Sequence, residues 1–452
     1  TVLRNKLATL PEDFTSYSIS LNSYTDAGLL QNILEQPLER KTGSSYGPPG
    51  TKRLIYLLDD LNICPVDKYG TQSAVELLRQ QIDYGGFYDL NKLTLKTLLN
   101  VQYFAAMDPA AGSFRIDSRM QRHFATFATP LPDAEVLSTI YTTILARHLA
   151  GGFSDELAAL VEPLVGATLS LHQEVSDSFM PNAVKFHYVW SLRELSALTQ
   201  GIRRARPAVW ARLLHRVWRW AHRAWGGYGD RLSTEADISR FDGQVVRISR
   251  NWFHDLLADQ PDKPPAAFAT FAASSASAAD DVRHYAPVRG EGELVALLEA
   301  SLADYNSSRA KMDLVLFEQA VSHVCRIARI FSIPQGNAML VGVGGSGKQS
   351  LTRLAARLCG RDVSSLTISQ GYSMADFKSD VTTLFMQAGV RGYPLVWLLT
   401  DLQIVDDRML VFINDFLSTG DVPELFSADD RDNIVASMHA EVKAAGLMGS
   451  RE

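Results

Sequence analysis

With 452 residues, 46% of them hydrophobic and 21% charged, the chain has the length of roughly three units of about 150 residues and enough apolar side chains for sizeable cores; a peptide, a single small binding module and wholesale disorder are excluded. A formal net charge of -6 supplies no overall basic field for a phosphate backbone, so nucleic acid is not an expected partner. Cys64, Cys325 and Cys359 are too few and too widely spaced for a disulfide framework or a CxxC knuckle, and no run of about 18 apolar residues occurs; the reading is a cytosolic chain in a reducing compartment, with no membrane partner.

In chain order, Gly47-Pro48-Pro49-Gly50-Thr51-Lys52 looks like a phosphate loop but is one residue short and opens onto a strand, so a Pro/Gly turn is the better reading. Arg53 to Leu58 is a short apolar run ending on Asp59-Asp60, and Val101 to Ala106 is a second one ending at Met107-Asp108; both are expected to be buried strands. Val75, Leu78 and Ile82 place a helix between them, which makes the region α/β. Arg119 and Arg122, three apart, are expected to share a face, from which they could reach a γ-phosphate across a module boundary; a solvated helix face is the alternative.

From Asp133 to about Ala224 the pattern turns helical. Val136, Ile140 and Ile144 are expected on one face, Val184 to Leu195 in a further helix carrying Arg193, and Trp210, Trp218, Trp220 and Trp225 packed inward while the interleaved arginines snorkel. His187, His215 and His222 lack metal spacing. Residues 257–290, rich in Pro, Ala and Ser, read as a connector. Helical spacing then resumes after Leu294 through Leu314, Phe317, Val321 and Val324, and Asn337 to Val341 reads as a strand.

That strand runs into Gly342-Val343-Gly344-Gly345-Ser346-Gly347-Lys348, followed by Leu351, Leu354 and Leu358 at helical spacing. Strand, glycines, lysine and helix together are what a phosphate-binding loop requires: the backbone N–H groups cradle phosphate oxygens, the helix adds its positive end, and Lys348 reaches the outer phosphates. The expected ligand is a nucleoside triphosphate. Gln349 stands where a Ser or Thr would bind Mg²⁺, with Ser350 one place on. The partner strand Leu395 to Leu399 ends on Thr400-Asp401, so Thr400 takes the metal place and Asp401 the base place. An Asp in place of Glu withdraws the carboxylate by one bond, and a misplacement of about 1 Å can cost on the order of 10²-fold in rate; the expectation is ATP binding with slow hydrolysis.

Joined together, Tyr46 to Gly50, Leu57 to Asn62, Tyr69 to Gln72, Arg119 to Phe124, Lys185 to Val189 and Gly336 to Leu351 closely resemble an axonemal dynein heavy chain, the outer-arm β type above all. The resemblance covers nearly the whole chain and implies α/β P-loop AAA+ modules with a helical small subdomain. Residues 1–132 would be the end of a third module's large subdomain, 133–256 its helical small subdomain, 257–290 a connector and 291–452 the fourth module's large subdomain. It implies ATP/ADP and Mg²⁺ as cofactors, and a six-module ring moving along microtubules toward the minus end in the axoneme of cilia or flagella. The expected partners are the remaining modules, microtubules, and intermediate, light intermediate and light chains, bound mostly through parts outside these residues.

By motif position Asp59 and Asp60 would be the acidic pair of the third module, Asp108 its sensor and Arg193 its later sensor arginine, while Arg119 and Arg122 would face the preceding module's nucleotide. Asp108 stands where the family usually has Asn, and Asp60 where hydrolytic modules carry Glu, which points to a regulatory role. The chain starts at Thr1 and its motif order begins after a phosphate loop, so it is expected to be an internal piece of a longer protein. A non-motor AAA+ assembly ATPase and a purely structural nucleotide-binding module are the rival readings.

Overall fold

Strand Arg53–Asp59 is apolar on both of its faces, with Leu54 through Leu58 all buried, the pattern of a central strand in a parallel sheet. It lies between Phe14–Ser20 and Val101–Ala105, both parallel to it, with Ser20 opposite Asp59 and Leu58 opposite Ala105. The computed structural model describes residues 2–90, 92–108, 115–203, 213–257, 267–269, 286–288, 290–333, 336–420, 422 and 425–444. They divide into two units, one of residues 1–129, 365–393 and 397–452, the other of residues 130–364 and 394–396.

In the first unit, helix Ala27–Glu35 starts where Asp26 accepts the Leu29 N–H at 2.8 Å, which satisfies one of the donors a helix start leaves open. Helix Ser73–Tyr84 ends on Gly85 at φ +69°, a left-handed stop that glycine adopts without strain. Both helices pack Leu30, Leu34, Val75 and Leu78 onto the sheet. A smaller four-stranded sheet, ordered Glu39–Arg40, Ser45–Gly47, Leu95–Leu98, Gly86–Tyr88, lies in the same unit. The Pro/Gly segment after Gly47 runs directly into strand Arg53–Asp59, as a turn rather than a helix start. Helices Met374–Phe385 and Arg408–Thr419 gather a separate core around Phe377, Val381 and Met409.

The second unit contains a helical layer, Ala134–Leu149, Val161–Ser178, Leu192–Arg203, Leu213–Gly227 and Glu235–Leu257, closed over Leu171, Tyr188, Leu195, Trp220 and Phe241. Helices Glu291–Ser308, Glu318–Phe331 and Lys348–Leu358 form its other core with Leu298, Val324 and Leu354.

Several expectations are corrected. Val136, Ile140 and Ile144 do share a face, but it is the exposed one, and Tyr141, Leu145 and Leu149 face the core; two apolar stripes compete on this helix, and the one carrying Tyr141 is buried. Residues 184–191 are irregular, with helix only from Leu192, because Asn182 Oδ1 accepts the Val184 and Lys185 N–H groups and turns the chain. Leu314 and Phe317 lie in the irregular link between two helices. Asn337 to Val341 forms no ladder, and Met339 and Val341 are 92% and 86% exposed; strand propensity needs a pairing neighbour to become a strand. Trp220 packs inward as expected, whereas Arg223 is buried, its stem lying where a Cβ on Gly201 would come within 2.6 Å. Trp210 lies outside the described residues, and 257–290 contains the antiparallel pair Ala267–Ala269 and Ala286–Val288.

Candidate nucleotide site

The loop Gly342 to Gly347 ends in helix Lys348–Leu358, whose first backbone N–H groups are open at an N-terminus that carries partial positive charge. Two turns of the chain in the left-handed region make the loop: Gly345 at φ +78° and Gly347 at φ +76°, positions an L side chain would strain. Nothing lies within 4 Å of where a Cβ would stand on Gly344, Gly345 or Gly347, so the concave side of the loop is open for a ligand to approach the backbone. Lys348 Nζ donates to Gly342 O and Val343 O, both at 2.7 Å, and lies 3.3 Å from Ser346 Oγ. The ammonium therefore sits in the loop's own hollow, satisfied by carbonyls that phosphate oxygens can replace. Val343 is exposed, Gln349 is exposed and Ser350 half-buried at the first turn of the helix. The donor set fits a polyphosphate.

Thr400 and Asp401 follow strand Leu395–Trp397 and open the short turn Asp401–Gln403. Gln403 fixes that turn: its Oε1 accepts the Thr400 N–H at 2.9 Å and its Nε2 donates to Leu366 O at 2.6 Å. Thr400 thus carries a hydroxyl and Asp401 a carboxylate at the end of this strand.

The acidic end of the first unit is built the same way. Asp59 closes its strand, Arg4 stands 3.4 Å from its carboxylate, and Asp60 turns the chain at φ +57° into Leu61–Ile63. Asn62 Nδ2 donates to Asp108 O at 2.9 Å, which draws Asp59, Asp60 and Asp108 to one end of the parallel sheet. In open α/β sheets the C-terminal ends of the strands are where ligands bind. Asn62 and Gln403 were not among the expected site residues. Each stands two places after the second residue of its strand-end pair, and that repeated spacing is the signal that would have found them.

Arg119 and Arg122 are both exposed, Arg119 on the short helix Ser118–Gln121 and Arg122 as its cap. Arg122 lies 3.3 Å and His123 3.0 Å from Asp83, which also pairs with Arg79 at 2.7 Å. Burial works to raise the Asp83 carboxyl, but the Arg79 hydrogen bond and the His123 and Arg122 charges outweigh it and hold it below its usual range. The two arginines are thus anchored differently: Arg122 by a carboxylate of its own unit, Arg119 only through its backbone N–H to Asp117 at 3.0 Å among the bonds described. In the second unit Arg193 is exposed on the first turn of Leu192–Arg203, with Ser191 Oγ accepting its N–H at 3.2 Å.

Comparison with known proteins agrees with these features. Residues 312–452 match the family described as "P-loop containing dynein motor region D4", residues 1–132 a "P-loop containing dynein motor region" and residues 164–262 an "AAA+ lid domain". The chain is 45% identical over 455 aligned residues to the dynein beta chain of the flagellar outer arm of Chlamydomonas reinhardtii, covering 100% of this chain and 10% of that one. It is 43% identical to dynein axonemal heavy chain 17 of Homo sapiens and 43% identical to the ciliary dynein beta chain of Tripneustes gratilla, again over 10% of each. The chain thus spans about a tenth of the length of the curated relatives it matches. A parallel sheet with acidic strand ends, a helical lid and an open glycine loop at a helix start, in the order of those matches, mean that the chain belongs to the axonemal dynein heavy-chain family and carries its α/β P-loop AAA+ motor regions.

Proposed function

We propose that this chain is the part of an axonemal dynein motor ring that holds ATP or ADP at Gly342–Lys348 and regulates the ring rather than driving it. In this reading residues 1–132 end a third module, 133–256 form its lid, 257–290 connect, and 291–452 begin a fourth. The observation that carries it is the Lys348 ammonium, held inside an open glycine loop at the start of an 11-residue helix. ATP supplies the triphosphate; Lys348 and the loop N–H groups hold it. By motif position Thr400 and Asp401 stand at the strand-end place for Mg²⁺, and Gln349, with Ser350 after it, stands where the loop's Ser or Thr metal ligand would be. Asp401 stands in the place of the water-orienting group, one methylene short, which makes hydrolysis slow. Asp59, Asp60, Asp108 and Arg193 serve the third module's nucleotide, and Arg119 and Arg122 that of the module before it. The ring would move along microtubules toward the minus end in a cilium or flagellum, with intermediate, light intermediate and light chains bound elsewhere on the heavy chain.

Two substitutions in the full-length chain test this. Lys348→Ala should abolish photolabelling of residues 336–358 by azido-ATP, because the outer phosphates lose their only loop ammonium; undiminished labelling would refute the site. Asp401→Glu should raise phosphate release, by on the order of 10-fold or more at this site if reach of the carboxylate is what limits it. An unchanged rate would leave the loop as a holding site and remove the argument from carboxylate length.

A further inference from the structure

In the second unit two adjacent residues, Asp230 and Arg231, sit on the single turn Gly229–Arg231 and face opposite partners. Asp230 receives Arg326 at 3.1 Å and pairs with Arg329 on helix Glu318–Phe331. Arg329 is only 7% exposed, and Gly226 leaves it room: a Cβ there would stand 2.5 Å from the guanidinium carbon. Arg231 pairs with Glu194, donates to Val189 O at 2.6 Å and lies over the Trp190 ring at 5.4 Å. Glu194, 8% exposed, also accepts the Ser191 N–H at 2.7 Å and hydroxyl at 2.8 Å, so it locks the first turn of the helix on which Arg193 is its neighbour.

Helix Glu318–Phe331 is in turn the support of the phosphate loop. On the upstream side, Gly336 is folded so closely on the helix end that a Cβ would come within 2.1 Å of Ile330 O. On the downstream side, Arg361 donates to Phe331 O at 2.6 Å and Cys359 Sγ approaches Ala328 O at 3.6 Å, just past the end of helix Lys348–Leu358. Both flanks of the loop are therefore tied to the helix that Asp230 grips. Consecutive Cα atoms are held about 3.8 Å apart across a peptide bond, so a shift of Asp230 moves Arg231. Arg329 and Glu194 are buried, and removing the partner of a buried charge leaves it uncompensated, so neither pair slips without cost.

We propose that the Gly229–Arg231 turn couples the phosphate loop at Gly342–Lys348 to Arg193, Asp230 gripping the helix that supports the loop and Arg231 gripping the helix turn that presents the arginine. Asp230 and Arg231 are positioning residues. The proposal rests on the reading of Gly342–Lys348 as a nucleotide site. Ligand on the loop then stiffens the turn carrying Arg193, and through it the response of the preceding module; the linkage is reciprocal.

The test is hydrogen exchange on the full-length chain with and without ATP, following peptides over 342–358 and over 191–203. In the parent both should slow, the second by about fivefold or more, the lower end of ordinary coupling. Asp230→Asn should keep the slowing at 342–358 and reduce that at 191–203 to less than about twofold. Arg326→Ala removes the more exposed arm and leaves the Arg329 pair, so it serves if Asp230→Asn does not fold; it should give an intermediate slowing at 191–203. Slowing at 342–358 with none at 191–203 in the parent, or equal slowing at 191–203 in parent and variants, overturns the coupling and leaves the nucleotide site standing. No slowing at 342–358 in the parent removes the nucleotide site, and the coupling with it.

Discussion

Asp415, on helix Arg408–Thr419, is 6% exposed and lies 3.5 Å from Asn22 Nδ2. Burial pushes its carboxyl up to about 6, against the opposing pull of the Asn22 amide. A carboxyl raised on folding adds stability that is complete below its unfolded value near 4 and is lost as pH rises through about 6. Asp415→Asn should remove that dependence: the variant's thermal midpoint relative to the parent should improve between about pH 4 and pH 7.5. A constant difference across that range would contradict it. Sequence reasoning did not single out Asp415, because nothing in Asn414-Asp415-Phe416 distinguishes a buried carboxylate from a solvated one. Asn62 and Gln403 differ in sharing a spacing after their strand-end pairs, but the carbonyls their amides reach are 46 and 37 residues away.

At the level of elements, the start of the long helix Glu235–Leu257 depends on a charged cluster. Lys185 pairs with Asp237, which also accepts the Tyr188 hydroxyl at 2.9 Å and the Thr234 hydroxyl at 2.6 Å. The Lys185 hydrogen bond, then that of Thr234, lowers the Asp237 carboxyl to about 2. A depressed carboxyl contributes stability that is present above its unfolded value near 4 and is lost as pH falls toward about 2. Asp237→Asn should therefore flatten the acid limb of the lid's stability between those values, followed by circular dichroism; an unchanged limb would assign acid unfolding to other carboxylates.

The apolar spacing around Lys185-Phe186-His187-Tyr188-Val189 predicts a helix and gives no warning of the turn at Asn182. Strand Arg53–Asp59 is readable because a fully buried strand is apolar throughout, whereas Val101–Ala105, expected to be buried as well, alternates half-buried and exposed side chains, with Gln102 and Phe104 exposed. Ala338 to Val341 is likewise apolar and forms no ladder.

Among the described residues, apolar side chains gather into separate cores, two in each unit. The largest is in the lid, where Trp220 is fully buried, meets Phe253 edge-on at 5.7 Å and donates to Thr168 Oγ1 at 2.9 Å. Trp220→Ala should destabilise the second unit by about 3–5 kcal/mol, read by urea unfolding, since the surrounding helices can collapse only partly into the space. A loss under about 1 kcal/mol would mean that the lid repacks freely.

The sequence alone determined the family, the α/β and helical order, and the phosphate loop, because a glycine-rich loop ending in lysine and an apolar period sustained over a whole element are local signals. Tertiary structure decided which of two apolar faces on Ala134–Leu149 is buried, that Arg223 and Arg329 lie inside, and that Asp230 and Arg231 grip separate helices. The two ion pairs join partners 37 and 99 residues distant. No periodicity in a chain encodes which of its distant charges will meet.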